Sequence, residues 1–327
     1  MHTRPRALTA PLSLACAVAV SGCSGAPVPS PTPPLAPASA PSTPASDLPP
    51  ADAAALAAAG IPREHIACRA RNRWSSTLRA EAKATAGQIL DGLAGLGAVV
   101  PEDKRDAARS LVVDAVFWRM VLTQLVDGEL HNLGVVALRG RTTASGAPLL
   151  LFRTAFTAEP GRDGSCVDSL VDAGVRHAIN LYAGPMPTQG LEAAEAGRLT
   201  AAGGTYFSAR EHPESTSFRE TLRDEAGPEA AQAAMRTVAR LVNEQILRPG
   251  GAPPRGHVQV HCGGGMHRTG MVVGVIERCV NGTPMADVAA NFKRHVGWRS
   301  ESEPGGYEPE NLEFIERFDC GLIEAQR

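Results

Sequence analysis

Within ten positions, His261-Cys-Gly-Gly-Gly-Met-His-Arg-Thr-Gly270, the chain collects the residue types needed to handle a tetrahedral oxyanion. Cys262 supplies a thiol and Arg268 a planar guanidinium. Gly263, Gly264 and Gly265 supply a backbone free to wrap, so that consecutive N–H groups converge on one centre. The apolar run His257-Val-Gln-Val-His261 leads in and Met271-Val-Val-Gly-Val-Ile276 leads out, so the segment is predicted to join a strand to the N-terminus of a buried helix. Such a junction is an anion site. A thiol placed there beside an arginine ionises easily, its pKa falling from roughly 8.5 into a range of about 3.5–7.5. A thiolate facing a bound tetrahedral anion is a nucleophile aimed at phosphorus. Two other readings use the same residues. Glycine-rich strand-to-helix turns also occur in α/β proteins without phosphate chemistry, and His261, Cys262 and His267 are types that ligate metals. No second cluster with ligand spacing lies nearby, and Cys279 reads as a buried apolar residue. The chemistry calls for no metal and no cofactor.

The pattern of His, Cys, five residues, Arg, Thr and Gly after a strand resembles the active-site loop of the cysteine-dependent protein-tyrosine and dual-specificity phosphatases. The resemblance implies that Cys262 attacks a phosphoryl group to give a phosphocysteine. It implies that Arg268 holds two equatorial oxygens in a bidentate fork, which a lysine could not match. The backbone N–H groups of Gly263, Gly264, Gly265, Met266, His267 and Arg268 would stabilise transition-state charge. Thr269 would hydrogen-bond the thiolate and aid its departure, and His261 would support the loop. Breaking the ester expels an alkoxide or phenoxide unless an acid protonates it. In the dual-specificity branch that acid is an Asp on an upstream loop, a few residues before a proline that opens a helix. Asp224-Glu-Ala-Gly-Pro228 fits this, with Glu225 and Glu211 as competitors. The stretches Phe152-Arg-Thr154 and Gly174–Leu181 resemble the opening of bacterial phosphatases of the superfamily. The matching region runs from roughly Leu149 to Asp319.

Between Cys262 and Arg268 there is no lysine, whereas phosphatases of highly phosphorylated inositols commonly carry basic residues there. This favours phosphotyrosine, with or without phosphoserine and phosphothreonine, in a protein or a small phosphomonoester. An inositol (pyro)phosphate substrate is the alternative. His267 before Arg268 is similar to the inositol-pyrophosphate phosphatases of fungi and plants, and Lys293, Arg294, His295 and Arg299 could add charge from a neighbouring loop. A reading of another class is an envelope lipoprotein that binds phosphorylated ligands without turning them over, but a pure binder would not require the thiol.

The chain has 327 residues and a formal charge of −2, which argues against a nucleic-acid partner. Its seven cysteines show no repeated spacing and suggest no disulfide framework. His2, Arg4 and Arg6 precede an apolar run, Ala7 to Val20, of signal-peptide length. It ends in Val20-Ser21-Gly22-Cys23, which resembles a bacterial lipoprotein cleavage box. Residues 1–22 are then a signal peptide, and Cys23 becomes the lipidated first residue of a protein held on a membrane surface of the cell envelope, on its periplasmic or extracellular side. The competing expectation is an ordinary secretory signal cleaved near Ala26. Residues 24–50 hold ten prolines and one charge, Asp47, and with Cys23 make a tether that reaches about 80 Å at about 3.1 Å per residue.

The elements that must position the loop follow from the patterning. Residues 51–147 read as a helical N-terminal region, with helices over Ser76–Leu96 and Leu111–Val126. Residues 148–327 read as the phosphatase domain. Strands are predicted at Leu149–Phe152, Val175–Leu181, Thr205–Ser208 and Val258–Val260. Helices are predicted at Cys166–Ala173, Pro228–Leu247, Pro284–His295 and Pro309–Phe318. Such alternation predicts an α/β fold with a central, mostly parallel sheet and helices on both faces, similar to tyrosine and dual-specificity phosphatases.

Overall fold

The run His257-Val-Gln-Val-His261 is buried at every position, as expected for the middle strand of a parallel sheet covered on both faces. The computed structural model describes residues 48–70, 78–95, 101–126, 131–157, 166–183, 189–224, 227–296 and 309–323. Helices α1 (Pro50–Ala58), α2 (Leu78–Gly95) and α3 (Arg105–Val126) come first. The sheet comprises β1 (Gly134–Thr142), β2 (Pro148–Thr154), β3 (Val175–Asn180), β4 (Thr205–Ser208) and β5 (His257–His261), in the order β1-β2-β5-β3-β4. Strand β1 is antiparallel to β2, and the other pairings are parallel. Helix α4 (Cys166–Asp172) follows β2 and α5 (Gln189–Ala201) follows β3. Helices α6 (Phe218–Asp224) and α7 (Pro228–Leu241) follow β4. Helices α8 (His267–Cys279), α9 (Met285–Val296) and α10 (Pro309–Arg317) follow β5.

The fold is therefore α/β with a mostly parallel sheet between two cores. Leu149, Leu151, Val258 and Val260 face one core with Val238 of α7, Met271 of α8, Phe292 of α9 and Ile315 of α10. Leu150 and Phe152, pointing the opposite way, meet Leu56 of α1, Leu170 of α4 and Leu199 of α5. Period-two alternation along β2 thus feeds both faces.

Several elements differ from the patterning. Strand β1 occupies part of the stretch expected to be helical and puts the start of the sheet ahead of residue 148. Only its first half is well buried, so its apolar run is short. Helix α1 lies on the sheet, with Asp52 Oδ2 accepting from the Val135 N–H at 2.8 Å. The long helix expected over 228–247 changes to a π-helical stretch at Val242–Leu247. Disulfides are present, contrary to the spacing: Cys68 pairs with Cys166 and Cys279 with Cys320. Cys279 is thus a cross-link at the end of α8 rather than a buried apolar thiol. The signal peptide, Cys23 and nearly all of the tether lie outside the described residues.

Candidate active site

Strand β5 enters the sheet last, between β2 and β3, and its final residue His261 is in register with Thr154 and Asn180. The loop that leaves it therefore opens at the carboxyl ends of three parallel strands, where α/β sheets hold ligands. Cys262 through Met266 are buried, His267 and Arg268 half-buried, and α8 starts at His267. Glycine is required at Gly265: its φ is +64°, and a Cβ there would collide with the Thr154 carbonyl.

The loop is held from behind. Asn132 Nδ2 donates to the carbonyls of Gly264 at 3.0 Å, Gly265 at 3.2 Å and His295 at 2.9 Å. Arg153 Nη2 donates to the Gly265 carbonyl at 2.8 Å. In a trans peptide the C=O and the following N–H point in opposite directions. Turning the Gly264 and Gly265 carbonyls back into the protein therefore turns the N–H groups of Gly265 and Met266 towards the concave side. Strand β1 delivers Asn132 to this place because it is antiparallel: its start, Gly134, pairs with Arg153 at the carboxyl end of β2. Asn132 itself adopts a left-handed conformation, φ 48°.

Behind Asn132 the polar groups continue outward. His295 Nδ1 lies 2.8 Å from Asn132 Oδ1, and Arg294 Nη2 lies 3.2 Å from His295 Nε2. Burial, reinforced by Arg153 and Arg294, holds His295 well below the usual histidine range. The neutral ring donates from Nδ1 and accepts at Nε2. Arg294 also donates to Asn291 Oδ1 at 2.5 Å and pairs with Asp52 at 3.5 Å. Asn291 in turn donates to Glu277. Burial pushes Arg153 down to about 10 despite the opposing charge of Glu277, and pushes Glu277 up to about 7. Asp52, Glu277, Asn291 and Arg294 also line a groove of about 820 Å³ on the outer side.

At the concave side Cys262 is 6% exposed. Burial alone would raise its pKa, but the net shift is downward. The hydroxyl and backbone N–H of Thr269, the charge of Arg268 and the N–H of Met266 together outweigh burial. Thr269 is completely buried, and its hydroxyl is among the groups that lower the Cys262 pKa. His261 is completely buried and pairs through Nε2 with Glu195 of α5 at 3.1 Å. Among the described residues, no group of three or more His, Cys, Asp or Glu side chains could hold a metal ion.

The structure places His261 at the end of β5, Cys262 to Met266 in the turn that follows, and His267, Arg268 and Thr269 in the first turn of α8. The expected acid, Asp224, is the last residue of α6; its side chain and all of Glu225 lie outside the described part. Glu211 is exposed in the turn that leaves β4, with its N–H bonded to the Ser208 carbonyl at 3.1 Å. Arg294 and His295 do not charge the mouth of the loop, because they bond behind it. Lys293 is exposed on α9, and Arg299 is outside the described residues. Two residues at the site escape sequence reasoning. Asn132 is marked only by a polar His131-Asn132 pair ahead of an apolar run, and Glu195 lies in an alanine- and glycine-rich helix with no motif.

Neither a protein-family model nor a curated protein matches this sequence.

Proposed function

We propose that the chain is a cysteine-dependent phosphatase of the tyrosine and dual-specificity type, hydrolysing phosphomonoesters through a phosphocysteine on Cys262. The observation that carries this reading is geometric: a buried thiol leaves the end of β5, the Gly265 and Met266 N–H groups turn to the concave side, and Thr269 and Arg268 act on the thiol to lower its pKa. A site that only bound phosphate would gain nothing from ionising a thiol. In the proposed first step Cys262 Sγ attacks phosphorus, the P–O ester bond breaks, and Asp224 delivers a proton to the leaving oxygen. In the second step water attacks phosphorus, the S–P bond breaks with Thr269 stabilising the departing thiolate, and the water proton returns to the carboxylate. Arg268 and the loop amides hold the equatorial oxygens throughout.

The preferred substrate is phosphotyrosine, with phosphoserine or phosphothreonine as further possibilities of the same chemistry. The bonding of Arg294 and His295 behind the loop weighs against an inositol polyphosphate, which needs cationic groups at the mouth. The two disulfides fit an oxidising compartment outside the cytoplasm. They support export to a membrane surface of the cell envelope, anchored through Cys23. No described helix is long and apolar enough to cross a membrane.

The full-length chain should turn over an aryl phosphate and phosphotyrosine peptides faster than inositol phosphates. Cys262→Ser should abolish turnover but keep binding of vanadate or phosphate, because the serine hydroxyl is not ionised at neutral pH. Arg268→Lys should impair both binding and rate. Preference for inositol phosphates in the panel would overturn the substrate class. Turnover by the serine variant above about a tenth of the parent rate would overturn the mechanism.

A further inference from the structure

Four donors converge on one buried carboxylate just behind the proposed nucleophile. Glu195 Oε1 accepts from the Thr157 N–H at 2.5 Å and from Thr157 Oγ1 at 2.7 Å. Glu195 Oε2 lies 3.1 Å from His261 Nε2 and accepts from the Tyr206 hydroxyl at 3.1 Å. The side chains of His261 and Glu195 are 0% and 2% exposed. An ionised carboxylate at that depth is costly unless a cation answers it.

The surroundings leave that task to His261. From β4, Tyr206 contributes a hydroxyl whose pKa burial and the nearby Glu195 charge hold far above the usual range, so it remains a neutral donor. From α5, Glu192 is turned to Arg210, 2.8 Å away, and Arg198 pairs with Asp168 at 3.4 Å. From the segment after β2, Thr157 carries no charge, and Phe156 places its ring edge-on to the His261 ring with centroids 5.0 Å apart. From the loop, the charge of Cys262, the next residue in sequence, acts on His261, and that of Arg268 acts on Cys262. Burial opposes charging the imidazole, but the Glu195 charge and hydrogen bond overcome it, and the Cys262 charge and backbone act in the same sense. Glu195 in turn stays below the usual carboxylate range because His261 and Thr157 overcome its own burial. Coupling of this kind is reciprocal: if the thiolate favours the imidazolium, the imidazolium favours the thiolate.

We propose that Glu195 is a positioning residue for the chemistry at Cys262: by pairing with His261 it keeps a buried positive charge beside the nucleophile and fixes the end of β5 from which the loop departs. The role rests on the phosphatase reading, but its physical content does not need turnover to be measured. In the full-length chain, the rate of Cys262 alkylation by iodoacetamide, followed on its peptide by mass spectrometry, reports the thiolate fraction at each pH. Glu195→Gln should move the midpoint up by about one pH unit, so that alkylation at any pH well below the parent's own midpoint slows about tenfold. Glu195→Asp should recover part of that loss. In a His261→Asn background Glu195→Gln should add nothing further. An unchanged midpoint in Glu195→Gln, or the same shift when His261 is absent, would overturn the role.

The parent protein gives an independent check should the glutamine variant fail to fold. The ring nitrogens of His261, followed by NMR, should titrate above the ordinary histidine value of 6.5, so that the imidazolium is the major form at pH 6.5. A ring that is neutral there would overturn the proposal. If the chain hydrolyses no phosphomonoester, the phosphatase reading fails, while these two measurements still decide the role of Glu195. In an active chain the acid limb of kcat/KM should move with the alkylation midpoint.

Discussion

Burial alone would raise the pKa of a thiol that is 6% exposed, yet that of Cys262 is lowered, because Thr269, Arg268 and the Met266 N–H together outweigh it. The thiol, the arginine and the glycines were legible in the sequence because a single turn needs them as neighbours. Asn132 and Glu195 were not legible, because nothing in their own segments marks them; they matter only once β1 is laid antiparallel to β2 and α5 is packed behind β5. The general acid also belongs to this scale. A nitrophenolate leaves with little help, while the oxygen of a tyrosine or serine ester needs a proton as its bond breaks. Asp224→Asn should therefore slow phosphopeptide hydrolysis by about 10²-fold, cost much less on nitrophenyl phosphate, and remove the high-pH limb of the rate profile. Parallel assays of Glu211→Gln provide the comparison. If Glu211→Gln gives that split and Asp224→Asn does not, the acid is the residue in the turn after β4. A uniform loss in Asp224→Asn would mark it as a support of the loop.

Helix α8 is fixed at both ends: its N-terminus forms the loop, and Cys279 at its C-terminus is linked to Cys320 across a sequence separation of 41. The other cross-link joins Cys68, between α1 and α2, to the first residue of α4 across a separation of 98. Neither pairing follows from cysteine spacing, since each joins segments that meet only through the fold. They also leave Cys262 as the free thiol among the described residues. Reversible oxidation of Cys262 through a disulfide with one of these four would therefore require exchange with an existing bridge. Strand β2 and α9 could be read from periodicity, whereas β1 and α5 could not, being half-exposed and alanine-rich respectively. Glu277, also on α8, gives this scale a pH signature. Its carboxyl, ordinarily at 4.5, is raised by burial to about 7, so the folded chain holds a proton that the unfolded chain releases between those values. Stability from this group is therefore lost as pH rises through that window. Glu277→Gln keeps an acceptor for Asn291 and removes the charge. It should match the parent below pH 4.5 and exceed it above pH 7 by roughly 3 °C or more in Tm. Thermal melts across this range check it, and a difference that does not grow with pH would count against the account.

At the scale of the whole molecule, the sequence sets a signal-like start and a proline-rich tether ahead of an α/β body. Alternating strand and helix patterns made the fold class legible. The course of the N-terminal region was not legible, since α1 is a short helix whose place on the sheet depends on Leu56 and Asp52 meeting β1. Anchoring predicts that metabolic labelling with a fatty acid tags the parent chain and that Cys23→Ala removes the label; undiminished label in the variant would refute it. The central claim is the covalent step at Cys262. It is tested most directly by mixing the full-length chain with a phosphorus-labelled aryl phosphate, quenching in acid within one turnover, and locating the label by mass spectrometry. A phosphoryl group should appear on the Cys262 peptide, be removed by a chase with unlabelled substrate, and never form in Cys262→Ser. Full turnover with no phosphoryl group on Cys262 at any quench time would contradict the covalent step.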